Sequence, residues 1–361
     1  MPYSAIVTSL PSLIPFLAPE AIERKLGRPM RLRLGANESN FGISPQAAEA
    51  MRKAVDRIGW YCDPENFELR EELAKKHGVS RDNVVVCAGL DDVLSLCARA
   101  FLDPGDFAVN SLGGYPTFNY GVHGAGGKLE FVPYKEDRVD LGGITEAAHR
   151  VRAKLAFVAN PDNPSGTWHE SGPIHELAKN LSETCTLLLD EAYSDFAPSE
   201  AIPPIDASNP RIVRLRTFSK AHGLAGARVG YAIAAEETVQ NINKIRMHFG
   251  VNLIAQAGAL ASLRDPNFVA GVVEEVARGR AEYESMAATL SLKTLPSATN
   301  FVAIDMGCFE DAKNTLDNLQ ERGVFIRMPG APPLNRCIRV TVGTAGERKQ
   351  LAEELALVVK K

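Results

Sequence analysis

A lysine set between hydroxyl residues and a glycine-rich turn, with an arginine eight positions on, stands out in Arg216-Thr217-Phe218-Ser219-Lys220-Ala221-His222-Gly223-Leu224-Ala225-Gly226-Ala227-Arg228. An amine attacks only when deprotonated, so a nucleophilic lysine needs a positioned, partly desolvated site. Thr217, Ser219 and Arg228 could together hold a phosphate by neutral and charge-assisted hydrogen bonds. Taken alone, the segment is equally an ordinary surface loop with a solvated lysine. A second segment, Leu187-Leu188-Leu189-Asp190-Glu191-Ala192-Tyr193, ends an apolar run with an acid. A carboxylate there could pair with a protonated ring nitrogen and keep that ring electron-withdrawing. An aspartate at a strand end also suits a helix N-cap.

Two further segments share this position after an apolar run. Asn160-Pro161-Asp162-Asn163-Pro164-Ser165-Gly166 reads as consecutive turns. Between its prolines, Asn163 could also donate a hydrogen bond to a phenolate-type oxygen. Cys87-Ala88-Gly89-Leu90-Asp91-Asp92 passes from a strand to a helix through glycine, and the free amides of a helix start attract anions.

The elements that must position these residues alternate along the middle of the chain. Short unbroken apolar runs predict strands at Val84–Cys87, Phe107–Ser111, Leu129–Pro133, Leu155–Ala159, Thr186–Asp190, Ile212–Thr217 and Gly230–Ala234, with helices between them such as Leu90–Phe101 and Gly172–Leu181. That alternation predicts an α/β fold with a mainly parallel seven-stranded sheet, whose ligands bind beyond the C-terminal strand ends. After about Asn243 the texture changes to long helical stretches, Val251–Leu263 and Val269–Leu290. Short strands follow near Asn300–Asp305, Val324–Arg327 and Cys337–Val342, with helices around Phe309–Arg322 and Gly346–Val358. The expected division is an N-terminal arm over 1–35, a large domain over 36–245 and a smaller α+β domain over 246–361.

A formal net charge of −4 over 361 residues gives no basic footprint for a nucleic acid or an acidic membrane surface. The six cysteines are scattered without a C-x-x-C pair, which predicts reduced thiols in a cytoplasmic protein and no metal site. The apolar N-terminus lacks a basic n-region and is broken by prolines, so it reads as a packed arm and not as a signal peptide.

In this order the four segments resemble the fold-type-I enzymes that use pyridoxal 5′-phosphate (PLP), and specifically the histidinol-phosphate aminotransferase branch. The likeness extends through Leu34-Gly35-Ala36-Asn37-Glu38-Ser39-Asn40, through Tyr61-Cys62-Asp63-Pro64 with Glu68-Leu69-Arg70, and through Cys337-Ile338-Arg339-Val340-Thr341-Val342-Gly343-Thr344. The resemblance implies that Lys220 is the covalent anchor and the acid/base between substrate Cα and cofactor C4′. It pairs Asp190 with the pyridine nitrogen, and Asn163 and Tyr193 with the phenolic oxygen. Tyr115 matches the aromatic residue stacked on the ring. The phosphate would be held by the amides of Leu90 and Asp91, by Thr217, Ser219 and Arg228, and by Tyr61 of a neighbouring subunit, which implies a homodimer. Arg339 matches the residue that grips the substrate carboxylate, and Arg327 one that helps with its phosphate.

Three positions depart from the branch pattern. Phe16 replaces a tyrosine thought to help bind substrate phosphate, Leu90 adds bulk to the phosphate turn, and Cys62 replaces a proline. The expected reaction is transamination between glutamate/2-oxoglutarate and histidinol phosphate, or alternatively an aromatic amino acid. A threonine-phosphate decarboxylase would share the lysine, acid and phosphate segments, but the V-T-V-G-T ending is closer to the transaminases.

Overall fold

A computed structural model describes residues 2–10 and 18–359. Phe16 lies outside the described residues. The large sheet is built from β1 (Val84–Cys87), β2 (Phe107–Ser111), β3 (Lys128–Val132), β4 (Leu155–Ala159), β5 (Thr186–Asp190), β6 (Ile212–Thr217) and β7 (Gly230–Ile233), in the spatial order β1-β7-β6-β5-β4-β2-β3. β7 runs antiparallel to both its neighbours, and the other strands share one direction. The middle strands are apolar without alternation because both faces are covered: every residue of β4 and β5 is buried. Helix Leu90–Phe101 covers one face through Val93, Leu94, Cys97 and Ala98. Helices Leu141–Val151 and Ser171–Asn180 cover the other through Ile144, Ala148, Ile174 and Leu177.

The helix Leu253–Leu263, read from sequence with the small domain, packs against helices Pro45–Val55 and Phe67–His77. Ala255 and Ala259 share a core with Leu69, Leu73 and Tyr231. The small residues on that face permit close approach, which an apolar count along the chain does not convey. The following long helix, Pro266–Thr289, contributes Val272, Val276, Tyr283 and Ala287 to a separate core. That core is completed by an antiparallel sheet of Lys293–Thr294, Phe301–Asp305 and Cys337–Thr341, and by helices Phe309–Glu321 and Ala345–Val359. Leu32–Arg33 pairs in parallel with Val324–Phe325, which ties the segment before the large sheet to the far end of the chain.

Candidate active site

The topology puts three loops side by side. In the pairing of β4, β5 and β6, Ala159 stands opposite Asp190 and Asp190 opposite Leu215. The residues just beyond these parallel strands therefore emerge together, as ligand sites of open α/β sheets do. They open into a cleft of about 810 Å3. Leu90, Asp91, Tyr115, Asn163, Asp190, Tyr193, Thr217, Ser219, Lys220, Arg228, Arg327 and Arg339 all line it. Tyr61 does not: its ring lies on the surface, tilted against Phe249 at 4.6 Å between centroids.

Lys220 Nζ donates to the backbone carbonyl of Asn37 at 2.9 Å. Burial, with Arg339 nearby, lowers its ammonium from the usual 10.5 to about 8, so a useful fraction is neutral amine near neutral pH. Asp190 is only 6% exposed and accepts one hydrogen bond, from the Ala192 amide at 2.9 Å. Burial pushes its carboxyl up to about 7. The charge of Lys220 offsets part of this burial, and a cationic ligand beside the carboxyl would offset more. The acid beside it, Glu191, is satisfied internally by Arg214 and by Arg216 Nε at 2.9 Å, which ties the end of β5 to β6.

Tyr193 stays protonated, since burial raises its phenol to about 12. Its oxygen accepts from Asn37 Nδ2 at 3.0 Å. Arg339 donates to Asn163 Oδ1 and to the Gly35 carbonyl, and its backbone bridges that of Arg327. Asn37 thus meets Lys220 and Tyr193 at once, and its own amide donates to Thr341 Oγ1 at 3.0 Å. The motif around Asn37 was visible in the sequence. Its contacts depend on a carbonyl and an amide meeting residues 156 or more positions away, and no local pattern reports them.

The phosphate end is equally specific. Leu90 and Asp91 open the helix Leu90–Phe101, whose N-cap Gly89 makes no side-chain capping bond. Their amides are among those a helix start leaves unpaired within the helix. Thr217 Oγ1 and Ser219 Oγ lie 2.9 Å apart. Arg228 reaches Asp91 Oδ2 at 3.3 Å, and Tyr115 donates to Asp91 Oδ1 at 2.9 Å. Gly89 has φ +87°, and a Cβ there would come within 2.4 Å of Arg228 Nη2. After Lys220, Gly223 has φ +72° and a Cβ on it would meet the Gly42 carbonyl at 2.1 Å, so the lysine loop closes on the 42–43 segment.

The model for "Aminotransferase class I and II" matches residues 29–355 of this chain. The chain belongs to that family. Its members are PLP-dependent transaminases of fold type I, and the seven-stranded α/β sheet is theirs. Among curated relatives, histidinol-phosphate aminotransferase 2 of Carboxydothermus hydrogenoformans is 36% identical over 357 residues, covering 98% of each chain. Among solved structures, histidinol-phosphate aminotransferase from Sinorhizobium meliloti in complex with pyridoxal-5′-phosphate is 44% identical. Its TM-score is 0.97 over 99% of this chain and 98% of that one. L-threonine-O-3-phosphate decarboxylase from Porphyromonas gingivalis, 21% identical, has a TM-score of 0.77 over 91% of this chain and 100% of that one. It shares the fold alone.

The residues present fit the cofactor. Asp190 is a buried acid short of partners, Lys220 is a desolvated amine, and the hydroxyls, amides and guanidinium around Gly89 suit a phosphate.

Proposed function

We propose that this chain moves an amino group between glutamate/2-oxoglutarate and histidinol phosphate. The observation that carries the reading is the pair Arg327 and Arg339, joined backbone to backbone and lining the same cleft as Lys220. Two fixed cations beside the reactive amine suit substrates that bring a carboxylate or a phosphate. Relatives matching nearly the whole chain carry the same activity in their names.

In this reading Thr217, Ser219, Arg228 and the Leu90 and Asp91 amides hold the cofactor phosphate. Asp190 would pair with the ring nitrogen, where a cation would draw its carboxyl back to the ionised form. Tyr115 would stack on the ring, and Asn163 and Tyr193 would serve its phenolic oxygen. Bound PLP supplies an electron sink for the pair left behind when substrate Cα loses its proton. Lys220 would be the covalent anchor for PLP, and its amine, lowered to about 8 by burial, would move the proton between substrate Cα and the cofactor. Arg339 orients the substrate carboxylate, and Arg327 adds charge for a phosphate.

We further propose a homodimer in which Tyr61 completes the neighbour's phosphate site. Ile58, Trp60, Tyr61, Met247 and Phe249 are all exposed, Trp60 and Tyr61 at 75% and 83%, and the Tyr61 and Phe249 rings meet at 4.6 Å. Large apolar side chains grouped like this mark an interaction surface. A cytoplasmic location fits the six cysteines, all unpaired and mostly buried. No helix among the described residues is long and apolar enough to cross a membrane.

The test is a panel of amino donors mixed with holoenzyme, following conversion of the cofactor to its amine form by absorbance. Glutamate and histidinol phosphate should both convert it. Efficient conversion by phenylalanine or tyrosine with none by histidinol phosphate installs the aromatic aminotransferase reading instead. Release of carbon dioxide from threonine phosphate installs the decarboxylase.

A further inference from the structure

Arg33 lies on the short strand Leu32–Arg33, where it stands opposite Phe325. The pleat sends Leu32 into the core and leaves Arg33 outside. Residues directly opposite on paired strands share a face. Arg327 is two residues beyond Phe325 and sets its guanidinium carbon 5.6 Å from that ring. Arg33 and Arg327 both line the cleft that holds Lys220 and Arg339. Two carboxylates fix Arg33 there: Glu20 at 2.9 Å and Glu38 at 4.0 Å, each also lining the cleft. Glu20 opens helix Pro19–Leu26, and a backbone hydrogen bond together with Arg33 keeps its carboxyl below the usual range.

In histidinol phosphate the branch that stands where glutamate has its α-carboxylate carries the anion farther from the reacting carbon. In glutamate the α-carboxylate carbon is bonded directly to Cα, and the γ-carboxylate carbon is three bonds away on the other branch. In histidinol phosphate the phosphorus is three bonds away, through a methylene and an oxygen. From the same Cα the phosphate therefore reaches farther out than the α-carboxylate, and, unlike the singly charged γ-carboxylate, above its second pKa of about 6 it carries nearly two charges and three acceptor oxygens. Arg339 is tied inside the cleft by Asn163 and the Gly35 carbonyl. Arg33 has a side chain 43% exposed and stands at the mouth. Its pair with Glu20 is solvent-exposed on both sides, and such pairs hold weakly enough for a dianion to displace them.

We propose that Arg33 is a third anion-reading arginine of this cleft, specific for the phosphate-bearing substrate, with Glu20 as the resting counter-ion that the phosphate displaces. This rests on the histidinol-phosphate reading above. The test compares single-turnover half-reactions of holoenzyme with glutamate and with histidinol phosphate. Arg33→Gln should lower kcat/KM for histidinol phosphate by about tenfold, the scale of one hydrogen bond to a charged group. The glutamate half-reaction should stay within about twofold, which also shows that the variant folds and binds PLP. Arg33→Lys should recover part of the loss, and Glu20→Gln should lower KM for histidinol phosphate by about twofold. An equal fall for both substrates, or no fall, overturns the proposal. If wild-type enzyme ignores histidinol phosphate, the substrate reading fails separately, and inorganic phosphate as inhibitor of the glutamate half-reaction decides Arg33. An inhibition constant raised about tenfold in Arg33→Gln keeps the anion-reading role, and an unchanged one ends it.

Discussion

Gly89 offers a perturbation whose consequences can be worked out atom by atom. Its backbone, at φ +87° and ψ 173°, lies in a region open essentially to glycine alone. An alanine there costs about 1–3 kcal/mol of folding stability. Its Cβ would also stand 2.4 Å from Nη2 and 2.9 Å from Cζ of Arg228. The flexible end of the arginine can move, but moving takes it off the proposed phosphate position. Losing a hydrogen bond to a charged group costs about 1.5–3 kcal/mol, or roughly 10- to 150-fold in cofactor affinity. Arg228→Ala makes the second loss without the first. PLP titration of the cofactor-free proteins should therefore show Gly89→Ala and Arg228→Ala each weakened, and the double variant no weaker than Arg228→Ala. Denaturant unfolding should show the stability loss in Gly89→Ala whether or not Arg228 is present. Wild-type affinity in Gly89→Ala would refute the reasoning. Full additivity would move the damage from the guanidinium to the Leu90 and Asp91 amides.

The burial of Asp190 makes a pH prediction with a definite sign. Its folded pKa of about 7 lies above the ordinary 3.8, so between these values the folded cofactor-free chain binds more protons than the unfolded one. Stability from this group is present at low pH and is lost as pH rises through about 7. Cofactor-free Asp190→Asn should accordingly gain in Tm over wild type at pH 8, with the gain fading toward pH 4.5; a difference independent of pH contradicts the assignment. With PLP bound, the same variant should keep the cofactor and lose most of its half-reaction rate, because an amide cannot hold the ring nitrogen protonated. For the shared site, mixing Lys220→Ala with Tyr61→Phe should restore activity beyond the sum of the two parents through sites carrying both native residues. Proven heterodimers without that gain would place Tyr61 outside the neighbour's site.

How much was legible depended on whether the signal was local. β4 and β5 could be read because a strand covered on both faces must be apolar throughout, and the chemistry-bearing loops follow from where such strands end. Thr217, Ser219, Lys220 and Arg228 were legible for the same reason, as one loop carries all four. Asn37 was not given a role, because its carbonyl serves Lys220 through a bond spanning 183 positions. The antiparallel direction of β7 leaves no mark on so short an apolar run. The packing of helix Leu253–Leu263 on Pro45–Val55 and Phe67–His77 has no local sign, because its small residues, not its hydrophobicity, select the helices it meets. Arg33 and Glu20 look like ordinary surface charges until the pairing of Leu32–Arg33 with Val324–Phe325 brings them to the cleft.

The account turns on Lys220 as the cofactor's covalent anchor, and borohydride reduction of the holoenzyme followed by peptide mass mapping tests this directly. One PLP-derived mass addition per chain is expected, on the peptide containing Lys220, and none after Lys220→Ala. Modification of a different lysine, or undiminished labelling in Lys220→Ala, contradicts it.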